Sequence, residues 1–171
     1  MTAFAIAPET GAHHSDIDAL HAEAFGPGRY SRAAFRVREQ GPHDPALSFV
    51  SLAEDGETLL GSVRLTWIET AATGAKGLLL GPLAVKDGLK GQGIGKALLR
   101  RSVDAAREAG APYILLVGDK PYYWPFGFET ISRGRVQMPG PVDPARFLVC
   151  ALQPEAADAI GGMVRWAGKP A

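Results

Sequence analysis

The clearest pattern in the chain is a nearly continuous apolar run, Gly77 to Val85, with a helical stripe after it. The run predicts a strand buried on both faces. The stripe sets Leu98, Leu99, Ser102, Val103 and Ala106 against a wet face of Arg100, Asp104, Arg107 and Glu108, which predicts an amphipathic helix over Gly93 to Ala109. Gly110 and Pro112 stop it. Tyr113 to Val117 is the next apolar strand, so strand, helix and strand predict a right-handed parallel crossover. Upstream, Leu47 to Glu54 and Thr58 to Glu69 flank Asp55-Gly56 and read as a hairpin, with Val63, Leu65 and Trp67 on one face. Ala71 to Lys76 is a small-residue turn.

The remaining segments are weaker. Phe4 to Ala7 is a short first strand. Ser15 or Asp16 is expected to cap a helix that ends near Phe25, and Ser31 a second one through about Glu39. Gly26 to Pro45 carries many polar and turn residues and reads as a mobile rim rather than core. Lys120 to Pro125 has room for one helical turn. Glu129 to Val136 and Phe147 to Leu152 are expected strands, and no pattern defines the tail from Pro154.

Gly81-Pro82 conflicts with its own strand, because proline cannot donate a ladder hydrogen bond. A bulge that splays this strand from a neighbour resolves the conflict and frees the backbone of Leu83 and Val85 for a ligand. An edge strand is the alternative.

Composition narrows the function classes. At 171 residues, one domain over residues 1–171 is expected. Lys+Arg and Asp+Glu are both 18, so no net charge steers the chain toward nucleic acid. No apolar run is long enough to span a bilayer, and no secretory leader is expected. One cysteine, Cys150, excludes an internal disulfide and a multi-cysteine zinc site; it fits a cytoplasmic location. No metal is expected, and Cys150 reads as a small buried hydrophobe.

Lys90-Gly91-Gln92-Gly93-Ile94-Gly95-Lys96 carries the chemistry. Alternate glycines permit a tight turn, and the helix that follows directs unpaired amides and a positive dipole end toward it, as at phosphate sites. The P-loop spacing fails: position 90 is Lys90, and Ala97 stands where a magnesium-binding hydroxyl belongs. The dinucleotide spacing fails because Lys96 or Leu98 stands where the third glycine belongs.

The turn does match Q/R-x-x-G-x-G/A, with Lys90 in first place and Gly93 and Gly95 as the glycines. Together with Gly81-Pro82-Leu83-Ala84-Val85 before it and Tyr122-Tyr123-Trp124-Pro125-Phe126-Gly127-Phe128 after it, the pattern resembles the GNAT superfamily of N-acetyltransferases. Within it, the chain is similar to the bacterial branch typified by YhbS-like proteins. The resemblance covers about residues 3 to 152. It implies an α/β fold of mixed α and β elements: a central, mostly antiparallel sheet of six to seven strands, splayed between the fourth and fifth and flanked by helices.

The resemblance also implies acetyl-CoA as cosubstrate and an amine acceptor, with a homodimer left open. The strand Leu83, Ala84, Val85 would bind the pantetheine arm, and an amide near Leu83 or Val85 would polarise the thioester. The amides of Gly91, Gln92, Gly93, Ile94, Gly95 and Lys96 would cradle the pyrophosphate, with Lys90 and Lys96 adding charge. On this view a valine at Gly93 weakens coenzyme binding far more than stability. Tyr123 matches the tyrosine that protonates the departing thiolate; Tyr122 either packs or helps bind coenzyme. Asp119 either caps the short helix or lies near the coenzyme arm. The general base stays open among Glu54, Glu69, His13, His14 and water. Arg29, Tyr30, Arg32, Arg36 and Arg38 either recognise an acidic acceptor or form a wet helix face. Trp67 and Trp124 either line an acceptor pocket or pack. A non-catalytic coenzyme-binding module remains the competing reading, because the splayed strand carries no acid.

Overall fold

The computed structural model describes residues 1–171. In chain order the elements are β1 (Phe4–Pro8), α1 (His14–Phe25), α2 (Ala33–Arg38), β2 (Phe49–Ala53), β3 (Leu59–Thr70) and β4 (Ala75–Val85). They continue with α3 (Ile94–Glu108), β5 (Tyr113–Val117), α4 (Lys120–Tyr123), β6 (Glu129–Thr130), β7 (Val136–Gln137), β8 (Phe147–Ala151) and β9 (Gly162–Trp166). The sheet order is β1-β2-β3-β4-β5-β8-β6, and β4–β5 is its one parallel pair along that path. The expected mixed, mostly antiparallel sheet is therefore present. No helix is long and apolar enough to cross a membrane.

The break in β4 is a bulge. Its register with β3 runs from Thr70↔Ala75 to Leu65↔Leu80 and resumes at Val63↔Leu83. Gly81 and Pro82 thus stand opposite the single residue Arg64. Their peptide bond is cis, and Gly81 has φ 127°. The edge-strand alternative falls, because β4 lies between β3 and β5. Its pairing with β5 is confined to Leu78↔Ile114 and Leu79↔Leu115, so the two strands part before the bulge.

The stripe on α3 behaves as its period requires. Ile94, Leu98, Leu99 and Val103 are buried against Leu65, Leu78, Leu80 and Ile114. Each side chain of that kind contributes about 1.5–3 kcal/mol. Val63, Leu65 and Trp67 do share this face. At the helix end Gly110 has φ 75°; its amide donates to Arg107, and the Ala111 amide donates to Ala106, which satisfies the last carbonyls.

Four sequence expectations change. α1 is preceded by a 3-10 turn, and its N-cap is His13 rather than Ser15 or Asp16. Ser31 does not cap α2; its hydroxyl donates to the Gly28 carbonyl at 2.8 Å, and Arg32 takes the cap position. The rim is anchored in the core: Ala33 and Val37 are buried, and Asp44 accepts from the Trp67 indole at 2.8 Å. Glu129 to Val136 divides into β6 and β7, because the chain turns at Gly134, with φ 79°. There β7 leaves the β8 side and pairs with β9, which the sequence pattern missed. β9 extends the edge of β3 beyond β2, pairing Ile68 to Thr70 with Trp166 to Val164.

The packing of β4 against β5 leaves no spare room at Gly77. A Cβ there would lie 2.5 Å from the Tyr113 ring, whose hydroxyl is fixed on the Ala75 carbonyl at 2.6 Å. Gly77→Ala is expected to lower unfolding free energy by about 1–3 kcal/mol, read as a fall in the denaturant midpoint. An unchanged midpoint would refute this packing.

Candidate active site

The divergence of β4 from β5 opens a cleft of about 920 Å³. Leu80 to Leu83 form one wall, Leu116 to Asp119 the other, and Tyr122 and Tyr123 lie along it. The ladder decides which backbone groups face this space. The Lys86 amide donates to Leu60 across β3 at 2.9 Å, and antiparallel bonding alternates, so Ala84 pairs with Ser62. The amides and carbonyls of Leu83 and Val85 then point away from β3, toward the gap. Ala84 is turned from the gap in both respects, since its side chain is buried against Ile17 and Leu20 of α1.

The glycine turn follows. Gly91 and Gly93 have φ 82° and 88°, the left-handed region where a side chain is strained. The expected effect of valine at Gly93 is corrected here: nothing lies within 4 Å of a Cβ there, and the backbone conformation itself would cost stability. The first i→i−4 bond of α3 runs from Ala97 to Gly93, so the amides of Ile94, Gly95 and Lys96 have no acceptor within the helix. The Ile94 side chain is in the core, so only its backbone is available to a ligand. Gln92 is partly engaged, accepting from the Thr2 amide at 2.9 Å. Lys90 is exposed and 3.3 Å from Asp87, a surface pair of small worth that is readily exchanged for another anion. Lys96 is exposed.

Helix α4 ties the turn to the cleft. A Cβ on Gly95 would lie 2.5 Å from the Tyr122 hydroxyl, so Tyr122 reaches the first turn of α3 while lining the cleft. The Tyr123 ring packs over Gly118, where a Cβ would overlap it, and stands edge-on to Phe128 at 5.9 Å. Burial pushes its phenol up to about 12, with Tyr122 and Asp119 adding and Arg146 opposing. Tyr123 is therefore protonated at neutral pH and suited to give a proton rather than take one. Asp119 holds the N-cap position, but its carboxylate accepts from Arg146 at 3.1 Å instead of from the helix amides.

The expected bases are scattered. Glu54 is exposed at the hairpin, Glu69 is bound to Arg165 at 2.7 Å, and His13 accepts from the Thr10 amide at 3.0 Å. His14, itself exposed, instead joins a cluster around a buried carboxylate that sequence reasoning missed. Its centre is Glu9, 5% exposed, which accepts from Arg64 at 2.8 Å and lies 3.1 Å from His43 and 3.3 Å from His14. Burial pushes the Glu9 carboxyl up, but hydrogen bonds from His43 and Arg64 outweigh it and hold it at about 2. Arg64 engages both carboxylate oxygens, so its charge already stands where a cation would sit. His43 and Arg64 also line the cleft, as does His21 of α1, buried 3.4 Å from the Ser62 hydroxyl. No sequence spacing announces these residues, because they come from separate segments.

Trp124 is exposed and donates to Glu129 at 3.0 Å, while Trp67 is core; neither lines the cleft. Arg29, Tyr30, Arg32 and Arg38 do line it, whereas Arg36 turns out to the Pro139 carbonyl at 3.1 Å. The sequence profile of the acetyltransferase (GNAT) family matches residues 15–123, more than half of the chain. The chain belongs to the GNAT family. The matched span holds the β4 break, the glycine turn and α4, while Glu9 and the strands after α4 fall outside it. The uncharacterized N-acetyltransferase YhbS of Escherichia coli K12 is similar at 25% identity over 150 residues, 88% of each chain. The structure of E. coli YhbS in complex with CoA matches with a TM-score of 0.79 at 25% identity, covering 98% of this chain and 91% of that one. A GNAT acetyltransferase from Brucella melitensis in complex with acetyl-CoA gives 0.69 at 26% identity, covering 98% of both.

His21 makes this GNAT site sensitive to acid. Burial, then the charges of Arg64 and Arg38, lower its pKa from 6.5 to about 4. Between those values the unfolded chain binds a proton that the folded chain refuses, so stability is complete above 6.5 and falls as the pH drops toward 4. Glu9 loses its contribution only lower, between 4.5 and about 2. His21→Gln is expected to reduce the stability lost between pH 7 and 4.5 by about 2 kcal/mol, measured by denaturant titration at both pH values. Equal losses in both proteins would refute a neutral buried imidazole.

Proposed function

We propose that the chain is an acetyl-CoA-dependent N-acetyltransferase that moves the acetyl group to a primary amine by direct attack. The observation that carries this reading is the open edge of β4. Its free amides at Leu83 and Val85 lead toward the unsatisfied amides of Ile94, Gly95 and Lys96. The pantetheine arm lies along Leu83 to Val85 as an added strand, and the pyrophosphate rests on the turn from Gly91 to Lys96, with Lys90 and Lys96 supplying charge. The two relatives bound to CoA and acetyl-CoA support this direction.

The amine attacks the thioester carbon, and the Leu83 or Val85 amide donates to the oxygen as it becomes an oxyanion. When the tetrahedral intermediate collapses, the C–S bond breaks and the Tyr123 hydroxyl gives its proton to the thiolate. The amine proton leaves through His43, the cleft imidazole that Glu9 orients, or through water. Asp119 and Tyr122 position α4 and border the coenzyme arm.

A non-catalytic coenzyme-binding module is the second reading, favoured by Gly81-Pro82 standing where an acid on β4 could act. Thiol release from acetyl-CoA, followed over amines, amino acids and peptides, separates the two. Tyr123→Phe is expected to keep acetyl-CoA affinity and lose about 100-fold or more in kcat. Coenzyme binding with no turnover on any amine identifies the module. Failure to bind any acyl-CoA overturns both readings.

A further inference from the structure

The cleft contains one arginine with a buried nitrogen that the chain leaves without a partner. Of the five that line it, four are engaged. Arg29 donates to the Gly26 carbonyl at 2.7 Å and the Tyr30 hydroxyl at 2.6 Å, and Arg32 stacks over Phe25 at 5.1 Å. Arg64 holds Glu9, and Arg146 holds Asp119. Arg38, the last residue of α2, is different. Its Nε is shut off from water and has no hydrogen-bond partner. The carboxylates of the cleft, Asp18, Glu39, Asp119 and Asp143, form no ion pair with it. Burial, then Arg32 and Arg64, lower its pKa to about 10, so it stays cationic at neutral pH.

Its position gives this charge a use. A Cβ on Gly81 would lie 2.5 Å from one Arg38 terminal nitrogen, so the guanidinium sits directly over the β4 break. Two residues further on, the Leu83 amide faces the gap. Arg38 is half-buried, and its buried, unpaired Nε destabilises the free protein, a cost that a bound anion offsets. An acid at position 81 would neutralise Arg38, but φ 127° there disfavours any side chain.

The geometry points to Arg38 as the subsite for a carboxylate on the acceptor: the substrate is a small amine that also carries a carboxylate. This rests on the transferase reading and names its acceptor class. One free planar fork matches the shape and the single charge of a carboxylate, while a phosphate brings more charge than one fork offsets. Anchored over Gly81, the carboxylate leaves its amine within short reach of the thioester.

Matched acceptors test this: amino acids, their carboxamides, and phosphoethanolamine, assayed by thiol release. Wild type is expected to favour acid over carboxamide by about 10- to 100-fold in kcat/KM. R38Q should bring that ratio near one, chiefly through KM, with acetyl-CoA affinity kept and the melting temperature equal or higher, because an uncompensated charge is gone. R38K should recover part of the preference, as charge without the fork. Should R38Q not fold, the wild-type ratio and R38K decide. Turnover with a wild-type ratio near one, a ratio that survives in R38Q, or preference for phosphoethanolamine overturns the subsite and leaves the transferase standing. If no amine turns over, the same pairs are titrated into the CoA-bound chain. Acid-selective binding lost in R38Q upholds the subsite while the transferase reading fails; equal binding of acid and carboxamide overturns it.

Discussion

Two residues of β4 stand opposite one residue of β3, and much of the site follows from that mismatch. Pro82 has no amide hydrogen to give a ladder, and Gly81 holds a backbone angle that side chains avoid. β4 keeps β3 as a partner on both sides of the bulge but keeps β5 only as far as Leu79. A central strand thereby gains a free edge inside the molecule. The backbone groups freed in this way face the cleft, and the burial of α3 on the same strand holds that edge in place. The edge persists because a large apolar cluster holds β4 in place from Leu78 to Leu80.

The same mismatch organises charge on the other side of the sheet. Arg64 is the residue that faces the bulge, and it reaches Glu9 at the start of the chain. Glu9 in turn holds His43 of the segment between α2 and β2. A short network thus fastens the rim to the sheet and fixes which cations look into the cleft. Glu9 spends its negative charge on Arg64 and His43, so it cannot also serve Arg38. The positive excess at that end is local; the chain as a whole carries equal numbers of acidic and basic side chains.

What the sequence made legible was what repeats or breaks a repeat. The period of α3, the apolar runs of β4 and β5, the proline inside a buried strand and the alternate glycines are all local, and each stands in the fold where its physics placed it. The tail strand β9 was not legible, because its five residues carry no alternation and gain their order from pairing with β3. The division between β6 and β7 escaped for a similar reason: the partner that draws β7 away is β9. Glu9, His21, His43 and Arg64 were invisible as a site, since tertiary structure alone brings them together. Trp124 misled in the opposite direction, its large ring left outside the cleft and tied to Glu129.

The two ends of the cleft are therefore made of different material. Toward the glycine turn the available groups are mainly backbone: Leu83 at the cleft, then Val85 and the first amides of α3 at Ile94, Gly95 and Lys96 beyond it. Backbone positions survive side-chain change as long as the bulge and the positive-φ glycines survive, which is consistent with a TM-score of 0.79 at only 25% identity to YhbS. The other end is made of side chains: Arg38, Arg64, His21 and His43. A side-chain site can be rewritten by single substitutions without disturbing the sheet. Gly81 joins the two, since it makes the break that frees the backbone edge and leaves the space that Arg38 fills. A change at that residue would reach both halves at once, whereas a change at Arg38 would reach only one.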